Sequence, residues 1–163
     1  MASKVNVITI DGPVAAGKTV VGRELAQTLG FTYLDTGIMY RAVTWLALNK
    51  GIAIGDETSL GSLAHDNPIE LVEDNSEQVS VAGKILGLEL REANVDQNVS
   101  IISKAGPVRT ELVAQQRKIA AKSKIVMIGR DIGTVVLPDA DLKIYLTASP
   151  AVSYTHLTLP TKA

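Results

Sequence analysis

Four residues near the start of the chain, Gly12, Gly17, Lys18 and Thr19, have the types and spacing of a phosphate-binding loop. They match the pattern G-x-x-x-x-G-K-[S/T] in the segment GPVAAGKT, between a strand-like apolar run and a stretch with helical spacing. The glycines permit a tight turn whose backbone N–H groups converge on phosphate oxygens, and the helix N-terminus adds a favourable dipole. The lysine would reach the terminal phosphates of a nucleotide, and the threonine hydroxyl would help to hold Mg²⁺. The alternative, a glycine turn that binds nothing, is disfavoured because every motif position and both flanks are satisfied.

A second group of polar residues lies in LDTGIMYR, residues 34–41. Here a short strand is expected to end in Asp35-Thr36-Gly37, and the following helix carries Tyr40 and Arg41 on its first turns. A hydroxyl and an arginine at the carboxyl end of a strand make a good site for a second small anion. The alternative is that Thr36 merely caps the helix and that Arg41 is a solvated helix residue.

A third pair of charged residues, Arg130 and Asp131, follows the buried run KIVMIG. Both side chains are expected at the same edge of the sheet as the phosphate loop. Arg130 would bind phosphate there, and Asp131 would orient a base, a ribose or the hydration shell of a metal. The alternative is a surface ion pair, but three such sites at the ends of predicted parallel strands favour a functional edge.

The elements that must position these residues alternate between strands and helices. Strands are predicted at residues 5–10, 31–35, 124–129 and 142–148, and helices at 19–30, 37–51 and, with a break near Gly106-Pro107, 94–122. This order predicts an α/β fold with a parallel sheet flanked by helices. Between about residues 66 and 91, the pieces IELVED, QVSVAG and GLELR alternate with turn signals, which predicts a small antiparallel insert.

Composition narrows the class of protein. A chain of 163 residues with 46% hydrophobic and 20% charged residues predicts one globular domain with room for a small insert. The net charge of −1 shows no excess of basic residues such as nucleic-acid-binding proteins carry. The lack of cysteine excludes disulfides and thiolate metal sites. Without a signal-like or membrane-length apolar run, we expect a cytoplasmic protein with no membrane partner.

Taken in order, the segments IDGPVAAGKT, LDTGIMYRAVTWLAL, GPVRTELVAQQR and IGRDIGTVVLPDADLKIYLTAS resemble bacterial cytidylate kinase, from about residue 5 to 150. The most specific patterns are D-[ST]-G-x-x-Y-R and G-R-D-x-G-T-V-V-x-P-D-A, which separate this family from shikimate, adenylate and dephospho-coenzyme A kinases. The resemblance implies a P-loop fold and the ATP- and Mg²⁺-dependent phosphorylation of CMP and dCMP. The alternatives are a P-loop kinase of another small acceptor, namely UMP, AMP or shikimate, or a non-catalytic nucleotide-binding module.

The resemblance also implies roles for individual residues. The ATP-binding residues would be Gly12, Pro13, Val14, Ala15, Ala16, Gly17, Lys18, Thr19 and Val20, with Thr19 also serving the metal. The acceptor would be bound by Thr36, Gly37, Tyr40, Arg41, Ser100, Arg109, Arg130 and Asp131. Catalysis would depend on Lys18, Arg130 and Asp131. For Ser100 the residue alone favours an ordinary helix-surface serine.

The chain departs from the family pattern in three places. Val14-Ala15 stands where relatives often have Ser-Gly, and LREA replaces a stretch that usually reads L-R-T-x. The last residues, 152–163, lack helical periodicity and resemble the translation of a sequencing-library adapter. We therefore expect a monomeric kinase domain at 1–151, incomplete at its C-terminus, with an acceptor-binding insert at about 60–95 and a non-native tail at 152–163. Loss of the family's arginine-bearing lid would slow its chemistry.

Overall fold

The computed structural model describes residues 4–147 of the chain. The predicted tail at 152–163 lies outside the described residues. The chain divides into two compact units, which we call the sheet unit (described residues 4–34 and 123–147) and the insert unit (residues 35–122).

The described elements alternate as the sequence predicted. In chain order they are β1 (Val7–Asp11), α1 (Lys18–Leu29), β2 (Thr32–Asp35), α2 (Thr36–Lys50), α3 (Glu57–Asp66), β3 (Glu70–Val72), β4 (Asn75–Val81), β5 (Lys84–Leu86), a 3₁₀ turn (Leu88–Arg91), α4 (Ala93–Ile102), α5 (Gly106–Lys122), β6 (Ile125–Gly129), a π turn (Ile132–Val136) and β7 (Leu142–Tyr145). The predicted break between the last two long helices is confirmed, because α4 ends at Ile102 and α5 begins at Gly106.

The sheet unit is built on a four-stranded sheet with the strand order β2-β6-β1-β7. Strand β1 pairs in parallel with both β6 and β7, so that Asp11 lies opposite Gly129. Both strands of the central pair are β-branched and apolar, as expected for strands covered on both faces. Their side chains and Ala26 of α1 form the core of the unit; its members are Ile8, Ile10, Ala26, Val126 and Ile128. The predicted parallel α/β sheet is confirmed.

Hydrogen bonds hold the chain at two places in the sheet unit: the start of β1, and the positions next to the insert unit. At the start of β1, one carboxylate oxygen of Asp141 accepts hydrogen bonds from the backbone N–H groups of Asn6 and Val7, at 2.8 and 2.9 Å. Next to the points where the chain leaves and re-enters the unit, the Thr32 N–H donates to the Lys124 carbonyl at 2.9 Å. The two ends of the insert unit are therefore attached at adjacent positions of the sheet unit.

The insert unit contains four helices and a small antiparallel sheet of order β3-β4-β5. The predicted antiparallel insert is confirmed, with one correction. GLELR is not a strand: Leu88–Arg91 forms the 3₁₀ turn, and the third strand is Lys84–Leu86. Helix α3, which the sequence did not predict, packs against α5, and the crowding of Gly61 by Pro107 explains why no larger residue stands at 61.

Among the described residues, no helix combines the length and the apolar character that crossing a membrane requires.

Candidate functional site

The phosphate loop joins β1 to α1 in the sheet unit. Gly17 is the residue before α1 and adopts a left-handed conformation with φ of 91°, which favours glycine. No side chain caps the helix, and its first turn carries no acidic residue. The first backbone N–H groups of a helix have no partner within the helix, so this end of α1 offers donors to an anion. The loop therefore fits the phosphates of a nucleotide.

Lys18 lies across the loop. Its Nζ donates to the carbonyl of Gly12 and, at 3.0 Å, to the carbonyl of Pro13. The ammonium group is thus held beside the same turn whose N–H groups favour an anion. Thr19, the predicted metal residue, is exposed at the start of α1. Within residues 4–147 no cluster of three His, Cys, Asp or Glu side chains could hold a metal by itself.

The two unusual residues of the loop, Val14 and Ala15, behave differently. Val14 does not have a positive φ, so its Cβ causes no backbone strain in the phosphate-binding loop, and its side chain is exposed. Ala15, however, has a φ of 64°, in the left-handed region. For a residue with a Cβ this conformation costs roughly 1–2 kcal/mol, so the loop carries local strain at Ala15.

Arg130 and Asp131 follow β6 in the sheet unit. Because Asp11 and Gly129 are partners in the parallel ladder, the loop after β1 and the turn after β6 begin at the same edge of the sheet. This confirms the placement that the sequence predicted. Arg130 is exposed, and Asp131 is partly buried at the start of the π turn. Its backbone carbonyl accepts a hydrogen bond from the Val135 N–H at 2.9 Å.

Asp11 is a residue of this edge that the sequence analysis did not single out. Its carboxylate is buried and accepts hydrogen bonds from the backbone N–H groups of Ile132 and Gly133, both at 2.7 Å. The sequence did contain a signal for this residue: an acidic side chain at the end of a mostly apolar strand, directly before Gly12 of the loop. Its partners lie more than a hundred residues away, so no local pattern names them.

Thr36 and Gly37 open α2 in the insert unit. Asp35 is the N-cap of this helix, and its Oδ1 accepts a hydrogen bond from the Gly37 N–H at 2.9 Å. The alternative reading of Thr36 as the cap is therefore wrong. Thr36 is the first residue of the helix and is buried, whereas Gly37 is exposed.

Arg41 lies one turn further along α2 and is not a freely solvated residue. Its Nη1 donates to the Leu90 carbonyl at 3.0 Å and forms an ion pair with Asp96 of α4. Both contacts use the same terminal nitrogen. The other donors of the guanidinium have no hydrogen-bond partner among the described residues. Asp96 is a second residue that the sequence analysis missed, because the pair joins positions 55 apart in the chain.

The remaining predicted residues of the insert unit differ in their surroundings. Arg109 of α5 donates from Nη1 to the Tyr40 hydroxyl at 3.5 Å, which brings these two predicted residues together. Ser100 is exposed on α4, and its backbone carbonyl accepts a hydrogen bond from the Ser103 hydroxyl. Within residues 35–122 no hydrogen bond joins the Ser100 hydroxyl to the other predicted residues.

The predicted residues thus form two groups in the two units. The sheet unit holds the phosphate loop, Arg130 and Asp131, and the insert unit holds Thr36, Gly37, Tyr40, Arg41, Ser100 and Arg109. Each group combines cationic side chains with hydroxyl or backbone donors. Such groups bind phosphate through charge-assisted hydrogen bonds.

Comparison with known proteins gives consistent matches. The family model described as "Cytidylate kinase" matches residues 8–155. Relatives called cytidylate kinase include those of Caldanaerobacter subterraneus subsp. tengcongensis (48% identical over 142 residues), Streptococcus agalactiae serotype III (47% over 144) and Bacillus licheniformis (43% over 144). Each alignment covers 87% of this chain but 62%, 63% and 64% of the respective relative. The chain therefore spans a little under two thirds of the length of these relatives.

Proposed function

Because this chain belongs to the cytidylate kinase family, we propose that it transfers the γ-phosphoryl group of ATP to CMP and dCMP. The observation that carries the proposal is the pair of phosphate-binding groups: Lys18 with the uncapped end of α1, and the arginines of the insert unit. A kinase of a nucleoside monophosphate needs both, since donor and acceptor each bring a phosphate. The specificity for cytosine rests on the family alone.

In this proposal the sheet unit binds the donor. The loop N–H groups and Lys18 would hold the β- and γ-phosphates, and Thr19 would hold Mg²⁺ through its hydroxyl. The metal would neutralise charge on the phosphates during transfer. Charge on the transferring group must be stabilised by donors that are already oriented, because reorienting them would add to the barrier. The contacts of Lys18 with the loop carbonyls support such an orientation.

The acceptor would be bound mainly by the insert unit. Arg41 and Arg109 would hold the phosphate of CMP, and resemblance to the family assigns the same role to Arg130. An oxygen of that phosphate attacks the γ-phosphorus, so a new P–O bond forms while the bond between γ-phosphorus and the ADP oxygen breaks. Because this oxygen is already anionic, no strong protein base is needed. Rate acceleration then comes from alignment and charge neutralisation. Asp131 would orient the pentose or the base, and Thr36 and Ser100 would add hydroxyl contacts.

The test is an ADP-release assay with ATP and Mg²⁺ against CMP, dCMP, UMP, AMP and shikimate. The chain is assayed as it stands and beside a version extended with the C-terminal part of a relative. We expect turnover with CMP and dCMP, either in both versions or in the extended version alone. The second pattern would show that turnover requires the C-terminal part taken from the relative. Turnover of another acceptor, with none for CMP in either version, would contradict the proposal, and binding of ATP without any turnover would favour the non-catalytic alternative.

A further inference from the structure

We propose that Asp11 is a positioning residue that fixes Arg130 and Asp131 for the acceptor. The proposal rests on the proposed function, because it assigns Asp11 a role in the same reaction. The carboxylate itself faces backbone N–H groups of the sheet unit rather than a substrate. It therefore acts through the two residues of the turn and not as a catalytic group.

The two hydrogen bonds of Asp11 are short and complementary. Oδ1 accepts from the Ile132 N–H and Oδ2 from the Gly133 N–H, each at 2.7 Å. These lengths are typical of charge-assisted hydrogen bonds. The residue is 6% exposed, so water competes poorly for either oxygen. Each carboxylate oxygen thus holds one of two successive backbone amides.

These contacts hold a short segment of the chain in place at both of its ends. Before Arg130, Gly129 is held by its place opposite Asp11 in the parallel ladder. After Asp131, Ile132 and Gly133 are held by the Asp11 carboxylate. Arg130 and Asp131 are therefore the two residues between two anchors, and both anchors involve Asp11.

The fit of the π turn against β1 supports this arrangement. A Cβ at Gly133 would lie 2.7 Å from the Thr9 hydroxyl oxygen and 3.3 Å from Oδ2 of Asp11. Thr9 and Asp11 are two positions apart on β1 and so point to the same face of the sheet. The turn therefore lies directly on that face, with no space for a side chain between them.

The experiment compares Asp11→Asn with Asp141→Asn. Both variants remove a carboxylate that accepts two backbone N–H groups at an end of β1, but Asp141 lies at the end away from Arg130. We expect Asp11→Asn to lower kcat/KM for CMP by about 10- to 100-fold, as misplacement of a substrate-binding group does, with the KM for ATP changed less than about threefold. Asp141→Asn should leave both values within about threefold. Equal effects of the two variants, or equal losses for CMP and ATP in Asp11→Asn, would overturn the proposal.

A second measurement separates this proposal from the proposed function. Amide hydrogen exchange is followed by NMR at residues 130–133. In the unmodified chain the Ile132 and Gly133 amides should be protected. In Asp11→Asn they should exchange at least about tenfold faster, and in Asp141→Asn they should not. If neither the unmodified chain nor the extended version phosphorylates CMP, the proposed function fails, while hydrogen exchange still decides the positioning role. Unprotected amides at Ile132 and Gly133 in the unmodified chain would overturn the positioning role even if Asp11→Asn does not fold.

Discussion

At the scale of single residues, Lys18 is the side chain on which the proposed donor site would depend most. We predict that Lys18→Ala lowers kcat by about 100- to 1,000-fold, because removal of one oriented charge contact to a transition state costs this much. The fold should remain, since Lys18 contacts loop carbonyls at the surface of the unit. The measurement is kcat beside a circular dichroism spectrum.

Lys118→Ala, which removes an exposed lysine of α5, is the matched control for Lys18→Ala. It should retain the kcat of the unmodified chain. A rate for Lys18→Ala similar to that of the control would contradict the assigned role of the loop.

Arg41 is predicted to contribute to binding of the acceptor CMP and not to binding of ATP. Arg41→Ala should raise the KM for CMP by about 10- to 100-fold, the equivalent of one hydrogen bond to a charged group, with the KM for ATP nearly unchanged. The control is Asp96→Asn, which removes the ion pair but keeps the guanidinium. This control should bind CMP at least as well as the unmodified chain. Loss of ATP binding in Arg41→Ala, or an equal loss of CMP binding in Asp96→Asn, would contradict the assignment.

Ala15 permits a prediction about stability. Ala15→Gly should raise the free energy of unfolding by up to about 1 kcal/mol, because glycine adopts a φ of 64° without the cost that a Cβ imposes. Ala16→Gly is the control. Its backbone has no positive φ, so glycine should only destabilise it. Urea denaturation measures the free energy of unfolding of both variants. A lower value for Ala15→Gly than for the unmodified chain would show that Ala15 carries no strain.

At the scale of the elements, Asp141 links stability to pH. Hydrogen bonds from the backbone N–H groups of Asn6 and Val7 lower the pKa of Asp141 below its ordinary value of 3.8. A lowered pKa in the folded state means that the stabilisation is present above the unfolded pKa and is lost as the pH falls through the folded pKa. Asp141→Asn should therefore be less stable than the unmodified chain at pH 7. The difference should shrink as the pH falls below about 3.8.

Urea denaturation between pH 7 and pH 2 tests this prediction. Asp139→Asn serves as the control, because this nearby carboxylate has no hydrogen bond to the described backbone. The control should follow the unmodified chain at every pH. A difference between Asp141→Asn and the unmodified chain that stays constant in acid would contradict the link.

The elements that the sequence predicted well are those with local signals. Strands β1 and β6 are rich in apolar β-branched residues, and α1 and α2 are each followed directly by a glycine, Gly30 and Gly51. Helix α3 was missed because its segment, ETSLGSLAHD, contains few apolar residues and an internal glycine. GLELR is a short segment next to turn signals, which favours a strand, yet Leu90 is buried and Leu88 is 88% exposed. Its pattern therefore fits a turn with one inward residue.

The site was predictable in its residue types but not in its contacts. Gly17, Lys18 and Arg130 could be found because each stands in a motif or directly after an apolar strand. The partners of Asp11 and Arg41 could not, since these contacts join positions 121, 122 and 55 residues apart. Such contacts depend on how strands and helices pack, and no local pattern encodes them.

At the scale of the whole molecule, Trp45 provides a fluorescence signal for unfolding. It is the only tryptophan of the chain and lies in α2, with the Lys84 ammonium 4.8 Å from its ring centroid. We predict that CMP at about 100 times its Kd stabilises the transition seen by Trp45 fluorescence by about 2.7 kcal/mol, because the ligand binds the folded state alone. Shikimate at the same concentration is the control and should leave the midpoint unchanged. An unchanged midpoint with CMP would place its binding elsewhere or exclude it.

The adjacent attachment points of the insert unit have an evolutionary consequence. The segment 35–122 is one uninterrupted stretch, and Thr32 and Lys124 are hydrogen-bonded where the chain leaves the sheet unit and returns to it. A segment with neighbouring ends can be exchanged without rebuilding the surrounding fold, as successful domain insertions show. If the residues of the insert unit contribute to the choice of acceptor, recombination at these two points would exchange that contribution as one segment. A change of acceptor would then need the exchange of only one gene segment for these residues, with the sheet unit inherited intact.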